Sequence, residues 1–406
     1  RNSEGSNSST AGNITVTLSG KQATTTGRGA PVLTIQSIGG GGGRVADSKA
    51  AIGLGGNTLT QADGGAISLT SSTQLFSSGM DSAGAVVQSI GGGGGLVARV
   101  SGVGISLGGD RLNQASGGAL TVLNKAAITS MGTNSPLLVA QSIGGGGGFT
   151  ATTAGVIATS EALVLGGRDS SNVTGGSLNL SNSATLQSTG TASDALIAQS
   201  IGGGGGLVGR VGDGQRVFTV SLGGIRVSNG AAGSINLTNR GERLYTEGDY
   251  AKALLVQSIG GGGGWAYLNA DGGSTSRLGG DQNSGANTGG SITVTNTSEL
   301  ISKGQGSGGM VLQTIGGGGG VIANAAGSLQ MGAMNSTGTL TGGDITLTNS
   351  GNITTLADDS PGAFIQSIGG GGGRANSVRG ALQLGLQGTQ GQLSATSGNL
   401  SITNTA

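Results

Sequence analysis

Apolar and polar residues alternate along many short stretches of the chain. Ile235 and Leu237 are separated by Asn236 and followed by Thr238; Leu178 and Leu180, Ile292 and Val294, and Ile345 and Leu347 stand in the same arrangement. A period of two describes a strand with one apolar face and one face of Ser, Thr and Asn. A turn with Asn, Gly or Ser follows each, then a shorter strand around Ile128, Leu186, Leu244, Leu300 or Ile353. A third kind of segment is apolar without alternation: Leu196-Ile197-Ala198, Leu254-Leu255-Val256 and Met310-Val311-Leu312. Such a run predicts a strand buried on both faces. No segment carries a useful length of the i, i+3, i+4, i+7 stripe that marks a helix.

These segments recur. The string Q-[ST]-I-G-G-G-G-G occurs seven times, at Gln36, Gln88, Gln141, Gln199, Gln257, Gln313 and Gln366, with gaps of 52, 53, 58, 58, 56 and 53 residues. Each is preceded by a segment such as Gly233–Asn239, Gly290–Asn296 or Gly343–Asn349, and most are followed by Leu-Gly-Gly, as at Leu54–Gly56 and Leu278–Gly280. The repeats run approximately 12–64, 65–117, 118–175, 176–232, 233–289, 290–342 and 343–397, with an eighth beginning at 398–406. Both ends fall inside the array, so a piece of a longer protein is expected. Short strands, small side chains, frequent turns and a long repeat predict an all-β fold, a single-chain parallel β-helix (β-solenoid), as one continuous array. A repeat of about 55 residues suggests two or three coils each, and a rod of about 70–110 Å. One very wide coil per repeat is the alternative, and it would bring the seven glycine runs into direct register.

Composition fits a thin-cored coil better than a globular domain. Gly makes up 92 of 406 residues, and there are one Trp, three Tyr and four Phe. Collagen is excluded, because glycine does not recur every third residue and there are only three prolines. With no His and no Cys, the common nucleophilic triads, thiol chemistry and thiolate metal sites are excluded. The formal net charge is +1, without the basic stripe expected of a nucleic-acid binder. No apolar stretch is long enough for a membrane-spanning helix.

The pattern G-x-[IL]-x-[LV]-[TS]-N, a second short strand, then a small or apolar run ending in QSIGGGGG stands clearly at Gly343–Gly373 and Gly176–Gly206, and more loosely in every repeat. In this the chain resembles the passenger domains of bacterial autotransporters over essentially its whole length. The QSIGGGGG block is the more specific part of the likeness. The resemblance implies a right-handed parallel β-helix, export across the outer membrane, and an extracellular or bacterial cell-surface location. The family's C-terminal barrel and the protease module of some members have no counterpart in these residues.

The repeated residues are the structural and association candidates. Each Gln shares a strand face with the Ile two residues on, so Gln257 is expected to point with Leu255 and Ile259. A buried amide must be hydrogen-bonded, and the backbone of the adjacent turn is its expected partner. The glycine runs beginning at Gly39, Gly91, Gly144, Gly202, Gly260, Gly316 and Gly369 have two readings: an internal corner of the coil, or a side-chain-free stripe that packs two rods together. Neither a phosphate loop nor a calcium repeat is supported, since GxxxxGK[ST] is absent and Gly108-Gly109-Asp110 and Gly279-Gly280-Asp281 are isolated matches. Asp358-Asp359 reads as a solvated turn. Tyr245, Tyr250, Trp265 and Tyr267 cluster in one repeat as a candidate contact patch. The expected function is that of a structural surface rod that self-associates through strand edges and polyglycine stripes, with other copies of itself as partner. An adhesin contacting host or matrix surfaces is the alternative, and a polysaccharide-active enzyme the least supported reading. No catalytic residue, metal or cofactor is expected, and no nucleic acid or membrane span in this chain.

Overall fold

A computed structural model describes residues 7–100, 104–153, 162–211, 219–268, 274–325, 327–386 and 393–406. The chain is a parallel β-solenoid in which every strand pairs with its counterpart in the neighbouring repeats. No helix is found among the described residues.

Each repeat makes one wide coil. Gln141 pairs with Gln88 on one side and Gln199 on the other, and Leu120 lies between Ile67 and Leu178. The expectation of two or three coils per repeat is therefore corrected: strands within a repeat occupy different sheets and pair only with neighbouring repeats. Seven full coils rise roughly 34 Å at about 4.8 Å each, so the expected length of the array is corrected downward as well.

The fifth coil shows the path. Ile235–Asn239 belongs to an eight-stranded entry sheet and Arg243–Thr246 to a seven-stranded second sheet. Lys252–Ile259 lies in the glutamine sheet, Gly263–Leu268 in the glycine sheet and Ser274–Leu278 in the leucine sheet, each seven-stranded. The first three sheets close around the main core, where Ile235, Leu237, Leu244, Leu254 and Val256 meet. Alternation explains this directly, because Asn236 on the entry strand is exposed while Ile235 and Leu237 are buried.

The glutamine sheet is buried on both faces. Leu254 and Val256 enter the main core, whereas Leu255 packs with Trp265 of the glycine sheet in a second core. The glycine sheet is in turn covered by the leucine sheet, with Ala266 and Leu268 against Leu278 in a third. Each buried Leu, Ile or Val contributes about 1.5–3 kcal/mol of transfer free energy. The cross-section is thus a three-sided prism with two further layers on one side. The return to the next entry strand passes over the glycine corner, filled by Leu112, Val173 and Val227. In the last three coils this return adds a small sheet of Ala286–Thr288, Gly338–Thr341 and Leu393–Thr396.

Repeat length varies mainly at one edge. From the fourth glycine of the run to the residue that closes the leucine-sheet strand, the chain spans Gly42–Leu54 in the first coil but Gly147–Leu165 in the third and Gly205–Leu222 in the fourth. The step from each Gln to the glycine sheet never changes, and the other steps vary far less.

Candidate functional site

Three polar or side-chain-free features are buried inside the stack. The first is a glutamine ladder. Gln36 Nε2 donates to Gln88 Oε1 at 2.8 Å, and the same bond joins Gln88 to Gln141, Gln141 to Gln199, Gln199 to Gln257, Gln257 to Gln313 and Gln313 to Gln366, at 2.6–3.1 Å. Identical amides at a spacing of about 4.8 Å satisfy one another, as in other stacked parallel sheets. The expected partner, the turn backbone, is secondary: Gln257 and Gln313 reach Gly264 O and Gly320 O at 3.3 Å. A parallel asparagine ladder at the end of the entry sheet runs from Asn124 through Asn182, Asn239, Asn296 and Asn349 to Asn404 at 2.7–2.8 Å. The QSI serine bridges two elements. Ser142 Oγ donates to Gly118 O and accepts from Gly176 N, tying the glutamine sheet to the turns before the entry strands.

The glycine runs form the second feature. In the second to sixth coils the runs are buried throughout, as Gly91–Gly95 and Gly260–Gly264 show. A Cβ on Gly263, at φ +139°, would lie 1.9 Å from Gly319 O, and one on Gly264 would lie 1.9 Å from Gly206 O. A Cβ on Gly262 would lie 2.6 Å from the Cα of Gly223 in the Leu-Gly-Gly corner. The runs are therefore an internal corner where coil meets coil. The association reading is corrected: a run enclosed by neighbouring coils and the leucine corner cannot be a stripe between rods.

The third feature is a charged rung. At the entry to the glutamine sheet lies a corner column occupied by Pro31, Ala83, Pro136, Asp194, Lys252, Gly308 and Pro361, one per coil, with Lys252 and Gly308 opening their strands and the others preceding theirs, in register through backbone hydrogen bonds. Asp194 and Lys252 break this small-residue column. Their side chains are 2% and 1% exposed, with Nζ 3.5 Å from Oδ1. The Lys252 backbone N–H donates to the same Oδ1, and Nζ also donates to Tyr250 O at 3.2 Å. The ammonium sits 4.3 Å from the Trp265 ring centroid. Burial lowers the Lys252 amine to about 8, against the opposing attraction of Asp194. Burial likewise raises the Asp194 carboxyl, although Lys252 pulls the other way. Desolvation outweighs the charge pair in both.

A cavity of about 10 Å³ adjoins the rung, lined by Asn134, Ala192, Asp194, Gly209 and Trp265 among others. It lies where the register shifts between Val208 and Arg210, leaving Gly209 as the extra residue of a bulge. The buried Trp265 Nε1 has no hydrogen-bond partner.

The aromatic patch divides in two. Trp265 and Tyr267 are buried, 6.3 Å apart, with Tyr250 half-buried 5.0 Å from Tyr267. These three belong to the core between the glutamine and glycine sheets. Tyr245 lies apart on the second sheet, under Arg243 and Lys303. As a surface contact patch the set is corrected: the largest ring is interior, and the fourth sits on another sheet. Sequence reasoning passed over Asp194 and Lys252; the available signal was a pair of charges in consecutive repeats at a position otherwise Pro, Ala or Gly.

No protein-family model matches the chain, and no curated relative matches it. Among solved structures, the A-module of a mannuronan C-5 epimerase from Azotobacter vinelandii aligns over 83% of this chain and 89% of that one, at 12% identity and a TM-score of 0.09. At that score the likeness carries no argument.

Proposed function

We propose that this chain is a segment of a secreted bacterial surface scaffold, a structural β-solenoid whose role is to be stiff and to carry segments of variable length at one edge. One observation carries the reading: the features that repeat without change, the Gln ladder and glycine corner, all join one coil to the next, while length variation collects at a single edge. A coil of about 55 residues advances the array by only about 4.8 Å. Such a fold invests in cross-section rather than reach, which favours resistance to bending. Homotypic association, in this reading, uses strand edges and not the buried glycines.

The test is to duplicate one internal repeat. Small-angle scattering should then show the long dimension growing by about 4.8 Å at constant cross-section, with stability rising as neighbours are added. Protease shaving of intact source bacteria should release the chain. A chain retained inside the cell contradicts the surface role. The adhesin reading is favoured by the gathering of variable segments at one edge. Exchanging 154–161 for 101–103 would abolish cell binding if it is correct and leave the scaffold unaltered.

A further inference from the structure

We propose that Asp194 and Lys252 are joined by an isopeptide bond that forms inside the folded chain and ties the fourth coil to the fifth. The two side chains are buried together, and Nζ and Oδ1 stand 3.5 Å apart. As an ion pair the arrangement is poor. A charge-assisted hydrogen bond closes to about 2.7–2.9 Å, whereas Nζ stands 3.5 Å from Oδ1, and the ammonium's other described neighbours are Tyr250 O and the Trp265 ring. As an approach geometry it is favourable. The corner backbone fixes both residues in adjacent rungs, and such placement is worth an effective molarity of up to about 10⁵–10⁸ M.

The step balances without any co-reactant. The Nζ lone pair adds to Asp194 Cγ. Negative charge gathers on Oδ1, which already accepts the Lys252 backbone N–H and so has an oxyanion donor in place. The bond from Cγ to the carboxyl hydroxyl breaks, and that hydroxyl leaves as water with one proton from Nζ. The product is an amide whose nitrogen keeps one hydrogen. Burial favours the reactive neutral forms, raising the carboxyl and lowering the amine. The cavity beside Asp194, about 10 Å³, is close to the minimum that holds one water. Trp265 covers Nζ.

This inference is independent of the scaffold reading. It is tested on the whole 406-residue chain by intact mass under denaturing conditions. The expected mass is one water below that of the sequence. Trypsin should leave Asp169–Arg210 covalently attached to Leu244–Arg277, with Lys252 uncleaved. Lys252→Met and Asp194→Ala should each show the full mass of their own sequence. A wild-type chain at full mass overturns the proposal, whether or not either variant folds. A water loss that persists in Lys252→Met also overturns it, because the dehydration then lies elsewhere, for example as a succinimide at Asp194.

Discussion

The glutamine ladder lies in the glutamine sheet and the Asp194–Lys252 rung at that sheet's entry, and they bury polar groups in opposite ways. The ladder is neutral and repeated seven times, so each amide is satisfied by a copy of itself. The charged rung occurs once, in a column otherwise made of small residues, and is satisfied by a mismatched partner and an aromatic face. Repetition makes buried polarity cheap when donor and acceptor reside in one side chain. It cannot do so for a charge, because stacking like charges would repel. A single charged rung in a column otherwise made of small residues is therefore a local specialisation rather than part of the building rule.

The largest effect is expected where the ladder's neighbour, the glycine corner, is disturbed. Gly263→Ala sets a Cβ 1.9 Å from Gly319 O at φ +139°, and should cost about 4–5 kcal/mol or prevent folding. Gly43→Ala meets nothing within 4 Å at the same φ, and should cost only about 1–3 kcal/mol of backbone strain. Equal denaturation midpoints for the two would contradict coil-to-coil contact. Next, measured against an unlinked chain, Asp194→Ala should destabilise by about 3–5 kcal/mol by stranding the lysine, while the Asp194→Ala, Lys252→Met double variant should recover most of that loss; measured against a bonded chain, both variants also lose the crosslink. Chemical denaturation checks both, and failure of the recovery would show that burial, not charge, dominates the rung.

Gln199→Leu leaves the Gln141 donor and the Gln257 acceptor unpaired in the core. It should cost about 2–4 kcal/mol, the sum of two stranded groups. A comparable effect comes from pH. The Lys252 amine titrates near 8 when folded and at its ordinary 10.5 when unfolded. The unfolded chain then binds more protons between those values, so an unlinked chain gains stability as pH rises from about 8 to about 10.5. A chain bonded at Lys252 has lost that titration and shows no such rise. Least of all, Lys303→Ala, which removes an exposed ammonium over the buried Tyr245 ring and beside Glu247, should change stability by less than about 1 kcal/mol.

The strands were legible because alternation is local: Ile235 and Leu237 announce their burial without reference to the rest of the chain. The number of coils per repeat was not, since a period of 55 residues is silent on whether Leu237 pairs within its repeat or with Val294 of the next. A hint was present in Leu254-Leu255-Val256. A strand apolar on both faces requires a layer on each side, and the glycine sheet is that layer. The glutamine's burial could be read from its register, but its partner could not, because the ladder exists only once repeats stack one coil at a time. The aromatic residues were misplaced for a related reason. Proximity in sequence put Tyr245 with Trp265, whereas the wide coil sends them to different sheets.

The central claim is that one repeat makes one coil, and a distance decides it. Thr121 and Thr346 are exposed, four rungs apart on the entry sheet through Asn179, Asn236 and Thr293. The chain has no native cysteine, so Cys and spin labels at these two sites give a clean pulsed-EPR distance. One coil per repeat places the labelled backbones about 19 Å apart. A distance of about 38 Å or more, as two or three coils per repeat require, would contradict the account.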